Sequence, residues 1–135
     1  MASQEKNNAK EFKFSKKRLI NSFKYASSGI VQAYIGEQNL KIHTIMALVV
    51  IIGGFVFKIS YIEWLICLVL IGLVLMAEFF NTAIEYVVDL SSPEIHPLAK
   101  AAKDTASAGV LMMAIISAII GIIIFLPKII NIIGG

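Results

Sequence analysis

The sequence is poor in the residues and motifs that soluble enzymes rely on. Its single cysteine, Cys67, excludes an intrachain disulfide and lies in an apolar run, which predicts a small buried side chain. Charged residues make up only 16% of the chain. The sequence contains no G-x-x-x-x-G-K-S/T, G-x-G-x-x-G or H-E-x-x-H motif and no Cys/His cluster. If a nucleotide binds, it is therefore not held by a conventional phosphate loop.

Apolar residues are what the sequence has in excess. They make up 58% of the 135 residues, and the mean hydropathy is +0.81. A spanning helix needs about 20 mostly apolar residues. Three transmembrane helices are predicted, at about residues 40–57, 61–90 and 98–126. The first includes Gly53 and Gly54 and reaches spanning length only if it begins near Leu40, and Pro127 is expected to end the third.

The N-terminal region differs from the rest in composition. Residues 1–14 are polar and without periodicity, which predicts a flexible segment before a single membrane domain at 15–135. From residue 15 to about 36, apolar residues recur at steps of three and four, which indicates an amphipathic helix on the membrane surface. The predicted fold class is an all-α integral membrane protein with this surface helix and three spanning helices.

Basic residues predict the orientation in the plasma membrane. Eight of the twelve lysines and arginines lie within residues 1–41, and the loop before the third spanning helix is followed by Lys100 and Lys103. The positive-inside rule therefore predicts a cytoplasmic N-terminus and a cytoplasmic loop between the second and third spanning helices. No nucleic acid partner is expected.

A polar stripe ends the second apolar segment. At 100° per residue, four polar side chains share one face over roughly 16 Å: Glu78, Asn81, Glu85 and Asp89. A second polar face opens the third spanning helix, with Lys100, Lys103, Asp104 and Ser107. An interhelical ion pair that only fixes packing is the simplest interpretation. Buried ionisable groups are costly in a membrane, however, and three of them in one stripe with Asn81 indicate function.

Three chemistries suit such acids. They can bind a hard divalent cation, relay protons, or provide a general base beside a metal-bound phosphate. Glu37, at the start of the first spanning helix, lies at a membrane depth similar to that of Glu85, so the two can share a metal ion. His43 is expected simply to lie at the membrane interface.

The stripe, together with the start of the third spanning helix, resembles a known family. E-F-F-N-T-A-I-E-Y-V-V-D and E-I-H-P-L-A-K-A-A-K-D-T-A-S-A-G-V are similar to the signature of the prokaryotic diacylglycerol kinases, and most similar to their Gram-positive undecaprenol kinase branch. The resemblance extends from about Arg18 into the third spanning helix. It implies a homotrimeric lipid kinase with active sites shared between subunits, which uses ATP and Mg²⁺ to phosphorylate a lipid hydroxyl.

The resemblance also assigns residues. Glu78 matches the catalytic base, and Glu37 and Glu85 match the metal ligands, which also contact the nucleotide. Asn81 and Ser107, with Glu78, match the lipid-hydroxyl site. The remaining nucleotide contacts match Arg18, Tyr25, Glu94, Ile95, His96, Lys103 and Asp104. The chain has His43 where the Gram-negative diacylglycerol kinases carry an acid, and Lys41 where they carry arginine. These two differences favour undecaprenol over diacylglycerol as the acceptor.

Two other functions compete with the kinase. A proton- or cation-coupled transporter would use the same acids as a relay, but residues 111–126 contain only one polar residue, Ser117, which argues against a path across the bilayer. A non-catalytic membrane adaptor would dock through the basic N-terminal helix, but it leaves Glu78 and Asn81 without a role.

Overall fold

The computed structural model describes residues 15–92 and 96–134. These residues form four α-helices: α1 Lys16–Gly36, α2 Gln38–Val56, α3 Tyr61–Ser91 and α4 Pro97–Ile133. Neither described range contains a β-strand. The prediction of an all-helical fold is confirmed.

The chain divides into two compact units, Met1–Gln32 and Ala33–Gly135. In the first unit, the described part of α1 exposes apolar side chains such as Leu19, Phe23 and Ile30. The hydroxyl of Ser22 donates to the Arg18 carbonyl at 2.9 Å, and Ser27 donates in the same way to Phe23 at 2.9 Å. Both hydroxyls are therefore satisfied within the helix.

Three helices of the second unit, α2, α3 and α4, are long and apolar enough to cross a membrane. They contain 19, 31 and 37 residues, so α3 and α4 exceed the roughly 20 residues that a bilayer requires. Large apolar side chains are exposed along all three, including Phe55, Leu68 and Ile123. Such faces need lipid or another apolar surface to cover them.

Helix α3 packs against both α2 and α4. Two ion pairs show that α3 and α4 are antiparallel: Lys103 Nζ lies 2.7 Å from Asp89 Oδ1 near one end, and Lys128 Nζ lies 3.0 Å from Glu63 Oε1 near the other. Helix α4 continues through Pro127 to Ile133, beyond the end that the proline predicted. Proline removes one backbone donor, but neighbouring groups in a membrane helix can compensate, and the continued turn brings Lys128 to Glu63.

The turn between α2 and α3 depends on close packing. Gly54 is buried, and a Cβ atom added there would lie 2.7 Å from Cη2 of Trp64, so only glycine lets the indole approach the α2 backbone. Ser60 caps α3: its hydroxyl accepts from the Glu63 N–H at 3.3 Å, and the Glu63 carboxylate accepts from the Ser60 N–H at 2.6 Å. Cys67 is buried against Ile59 and Ile124, as its apolar context predicted.

Candidate functional site

The polar stripe of α3 is partly buried between helices. Glu78 is 1% exposed and Asn81 5% exposed, so neither side chain is solvated. Neighbouring Thr82 is also buried, but its hydroxyl donates to the Glu78 backbone carbonyl at 3.0 Å and so needs no further partner. A carboxylate buried to this extent is costly in an apolar medium, and its retention indicates a function.

His43 of α2 lies beside the buried carboxylate. Its Nε2 is 3.2 Å from Glu78 Oε1, which is within ion-pair distance. Glu78 Oε1 nevertheless forms no hydrogen bond with any described residue, so the two side chains are within ion-pair distance without being hydrogen-bonded. From the sequence, His43 was expected only to lie at the membrane interface, and its contact with Glu78 was not predicted. The contact depends on the rotation of α2 relative to α3, which no local sequence pattern indicates.

Asn81 connects the buried end of the stripe to Glu85. Its Nδ2 donates to Glu85 Oε1 at 3.2 Å, one turn farther along α3. Its other amide atom, Oδ1, is buried and has no hydrogen-bond partner among the described residues. Glu78 Oε1 and Asn81 Oδ1 are therefore two buried acceptors without a donor in the part of the chain that the structure describes. An unpaired buried acceptor costs about 1–3 kcal/mol, so a ligand that supplies an O–H group or a cation would be stabilised there.

Glu37 occupies the N-cap position of α2, but its side chain does not cap the helix. The carboxylate is half-buried and close enough to Glu78 and Lys103 to interact with both electrostatically. Glu85 interacts with the same two groups. The structure thus brings Glu37 and Glu85, the predicted metal ligands, into one electrostatic cluster around Glu78.

The region around Glu37 is braced by contacts that the sequence did not reveal. Tyr34 packs edge to face on Phe79 with ring centroids 6.5 Å apart, and its hydroxyl lies 2.6 Å from that of Thr44. Because the Thr44 hydroxyl donates to the Leu40 carbonyl at 2.8 Å, the Tyr34 hydroxyl is the donor to Thr44. These contacts fasten the chain just before Glu37 to α2 and α3.

A metal site would depend on the substrate for part of its ligands. The described ranges contain no group of three or more His, Cys, Asp or Glu side chains arranged to hold a metal ion. Magnesium usually binds one or two carboxylates and completes its shell with water and phosphate oxygens. Glu37 and Glu85, with the unpaired Asn81 Oδ1 nearby, fit that donor set.

The two lysines near the start of α4 are both paired. Lys103 reaches Asp89 of α3 at 2.7 Å, so the interhelical ion pair considered from the sequence is present. Lys100 pairs within α4 with Asp104 at 2.6 Å. Exposed pairs of this kind contribute little to stability. Lys103 also interacts with Glu85 and Glu37, which places a cation beside the acidic cluster.

The remaining predicted residues differ in their surroundings. Arg18 and Tyr25 belong to the first unit, where both lie on α1. Ser107 is exposed on α4, whereas Asn81 is buried. His96 caps α4, because its Nδ1 accepts from the Leu98 N–H at 3.2 Å. Glu94 and Ile95 lie outside the described residues.

Comparison with known proteins identifies similar chains. Residues 24–125 match the model of a family described as "Prokaryotic diacylglycerol kinase". An undecaprenol kinase of Bacillus subtilis is 48% identical over 111 residues, covering 82% of this chain and 90% of that protein. Diacylglycerol kinases of Pseudomonas aeruginosa and Escherichia coli are 36% and 30% identical. The matches cover 68% and 76% of this chain, and 75% and 84% of the respective relatives.

Proposed function

The chain belongs to the prokaryotic diacylglycerol kinase family and is a multi-pass membrane lipid kinase, and we propose that it transfers the γ-phosphate of ATP to the hydroxyl of undecaprenol. The product would be undecaprenyl phosphate, a lipid carrier for envelope synthesis. The identity of 48% to an undecaprenol kinase, against 30% to the Escherichia coli diacylglycerol kinase, supports this acceptor.

The observation that carries the proposal is that Oε1 of the buried Glu78 accepts no hydrogen bond from any described residue. A lipid alcohol brings an O–H group to membrane depth, which is the donor that this oxygen lacks. Glu78 accepts the hydroxyl proton while the alcohol oxygen bonds to the γ-phosphorus, and the bond from that phosphorus to the β–γ bridging oxygen breaks to release ADP. The proton remains on the Glu78 carboxyl until it passes to solvent.

The other acids serve the nucleotide end of the site. Glu37 and Glu85 would hold Mg²⁺, and the bound ion would neutralise charge on the phosphate oxygens of ATP. Asn81 keeps Glu85 in position through the Nδ2 hydrogen bond. With Ser107, Asn81 would border the lipid hydroxyl, as the resemblance implies. Lys103 supplies positive charge beside this cluster. The other nucleotide contacts proposed from the resemblance are Arg18, Tyr25, Glu94, Ile95, His96 and Asp104.

The proposal also includes the assembly and its orientation. A homotrimer would cover apolar faces that the described chain leaves exposed and would complete active sites shared between subunits. The N-terminus and the loop before α4 would face the cytoplasm, where ATP is available, with the enzyme in the plasma membrane. The excess of lysine and arginine in residues 1–41 supports this orientation.

The test is a phosphate-transfer assay on the detergent-solubilised protein with γ-labelled ATP, Mg²⁺ and undecaprenol. The wild type should label undecaprenol faster than diacylglycerol, measured in parallel. Glu78→Gln should lose turnover by at least about 100-fold, as expected for a general base, while it still binds ATP. Glu63→Gln, at the opposite end of α3, is the matched control and should retain activity. Label transfer by Glu78→Gln at the wild-type rate would exclude Glu78 as the base.

A further inference from the structure

Glu37 lies at the break between α1 and α2. Its backbone is extended, and α2 begins at the next residue, Gln38. The Glu37 N–H donates to the Ala33 carbonyl at 2.9 Å, so the backbone at the break is still tied to the last turn of α1. The Glu37 carboxylate does not cap α2. Capping therefore does not fix this side chain, and its position depends on the contacts that hold the break itself.

Tyr34 connects the two sides of the break. It precedes Glu37 in α1, and its hydroxyl is hydrogen-bonded at 2.6 Å to the hydroxyl of Thr44, which lies inside α2. Its ring packs edge to face on Phe79 of α3. The hydrogen bond is partly buried, and a bond shielded from water is electrostatically stronger than an exposed one. Tyr34 thus fixes the direction in which α2 leaves the break and the position of the break against α3.

Tyr86 of α3 makes a second contact with the break, at Gly36. A Cβ atom added to Gly36 would lie 2.7 Å from the Tyr86 hydroxyl oxygen, so this oxygen occupies the space that a side chain at position 36 would need. Glycine often ends a helix because it adopts a positive φ, but no glycine in the described ranges has a positive φ. The missing side chain at Gly36 therefore makes room for Tyr86.

This second contact joins the neighbours of the two proposed metal ligands. Gly36 directly precedes Glu37, and Tyr86 directly follows Glu85. A change in the distance between Gly36 and Tyr86 therefore changes the spacing of the two carboxylates. Tyr86 is 48% exposed, so the contact buries little apolar surface and contributes little to the stability of the fold.

We propose that Tyr34 and Tyr86 are positioning residues, which hold Glu37 and Glu85 at the spacing that one magnesium ion requires. The inference rests on the proposed function and deepens it, because it identifies the side chains that set the geometry of the metal site. Magnesium demands near-ideal octahedral geometry and takes only one or two carboxylates from the protein, so their placement is critical. Residues that orient such ligands without touching the metal influence its affinity.

The first experiment measures the binding of Mn²⁺, used as a probe of the magnesium site, to the detergent-solubilised protein with a non-hydrolysable ATP analogue. Free Mn²⁺ is read from its electron paramagnetic resonance signal. Tyr34→Phe keeps the ring on Phe79 and removes only the hydroxyl. It should weaken Mn²⁺ binding about fivefold, which is less than the loss expected for a group bonded directly to a ligand. Tyr61→Phe, an exposed tyrosine at the opposite end of α3, is the matched control. Unchanged binding in Tyr34→Phe would overturn the inference.

A combination with Glu37→Gln separates positioning from a general effect on the fold. Because Tyr34 acts through the Glu37 carboxylate, Tyr34→Phe should weaken Mn²⁺ binding by less than about twofold when it is added to Glu37→Gln. A further loss as large as that in the single variant would show that Tyr34 acts by another route, and the inference would fail.

Gly36 and Tyr86 allow a rescue test. Gly36→Ala should weaken Mn²⁺ binding at least about threefold, because either the break or Tyr86 must shift and their spacing is lost. In Gly36→Ala/Tyr86→Phe the nearest ring atom, Cζ, would lie 3.9 Å from the new Cβ, which is an ordinary contact. This double variant should bind Mn²⁺ within about twofold of the wild type. Gly29→Ala, whose Cβ meets no atom within 4 Å, is the control. A double variant as weak as Gly36→Ala would contradict the role of Tyr86.

Phosphate transfer to undecaprenol is measured on the same samples, so that the two proposals can fail separately. If the variants show the expected changes in Mn²⁺ binding but the wild type does not label undecaprenol, the proposed acceptor is wrong and the positioning role stands. If the wild type labels undecaprenol and Tyr34→Phe binds Mn²⁺ as the wild type does, the positioning role alone is wrong.

Discussion

The Nε2 atom of His43 in α2 lies 3.2 Å from Oε1 of Glu78 in α3. The histidine is partly buried, with 22% of its side chain exposed, and the glutamate side chain is 2% exposed, so the contact occurs away from bulk solvent. Through this contact α2 meets the proposed base. His43 also lines an apolar cavity between α2, α3 and α4.

Replacement of His43 by leucine should lower kcat about tenfold, because the Glu78 carboxylate loses the imidazole that lies within ion-pair distance of it, and the surroundings of a base affect its position and its rate. KM for ATP should change by less than about twofold, because the imidazole contacts the base and not the nucleotide residues. Ile45→Leu, at an exposed position on the same helix, is the control and should behave as the wild type. A parallel loss of kcat and of ATP affinity in His43→Leu would contradict this role.

The two lysines near the start of α4 should differ in their effect on ATP. Lys103 lies beside Glu85 and Glu37, so Lys103→Gln should raise KM for ATP about tenfold through the loss of a cation near the phosphates. Lys100 forms an exposed pair with Asp104 within its own helix, so Lys100→Gln should change KM by less than about twofold. Equal effects of the two substitutions in the same steady-state assay would show that Lys103 has no special relation to the nucleotide.

Glu85→Gln should raise the Mg²⁺ concentration needed for half-maximal activity by at least about fivefold, because an amide is a weaker ligand for a hard cation than a carboxylate. The amide oxygen can still accept the Asn81 hydrogen bond, so the helix should remain intact. The measurement is a Mg²⁺ titration at fixed ATP, with Glu63→Gln as the control on the same helix. An unchanged titration curve would remove Glu85 from the metal site.

Adjacent glycines in α2 should respond differently to alanine. At Gly54 the new Cβ would lie 2.7 Å from the Trp64 ring, and such overpacking typically costs about 1–3 kcal/mol of unfolding free energy. At Gly53 the nearest atom, Cε1 of Phe125, would be 3.4 Å away, and alanine favours a helix over glycine by about 1 kcal/mol. Unfolding in mixed micelles should therefore show Gly54→Ala less stable than the wild type and Gly53→Ala at least as stable. Equal stability of the two variants would show that Trp64 moves aside easily.

Much of the candidate site was predictable because its residues belong to one helix. The spacing of Glu78, Asn81 and Glu85 places them on one face of any α-helix, and the structure joins Asn81 to Glu85 as this periodicity suggests. The cap that Ser60 forms on α3 also depends on a local pattern, because it joins residues three apart in the sequence. In contrast, the contact of His43 with Glu78 and the bracing of Tyr34 on Phe79 join different helices, and no local pattern indicated them.

The sequence by itself determined that this chain has three helices able to span a membrane and where their acids lie, because the length of an apolar run and the periodicity of a helix are local properties. The tertiary structure alone decided which faces of those helices meet. A spanning helix is apolar on almost every side, so hydrophobicity does not select its rotation about its own axis. Close packing contacts, such as that of Trp64 against Gly54, select this rotation instead. That selection brings His43 to Glu78 and leaves the cavity between α2, α3 and α4.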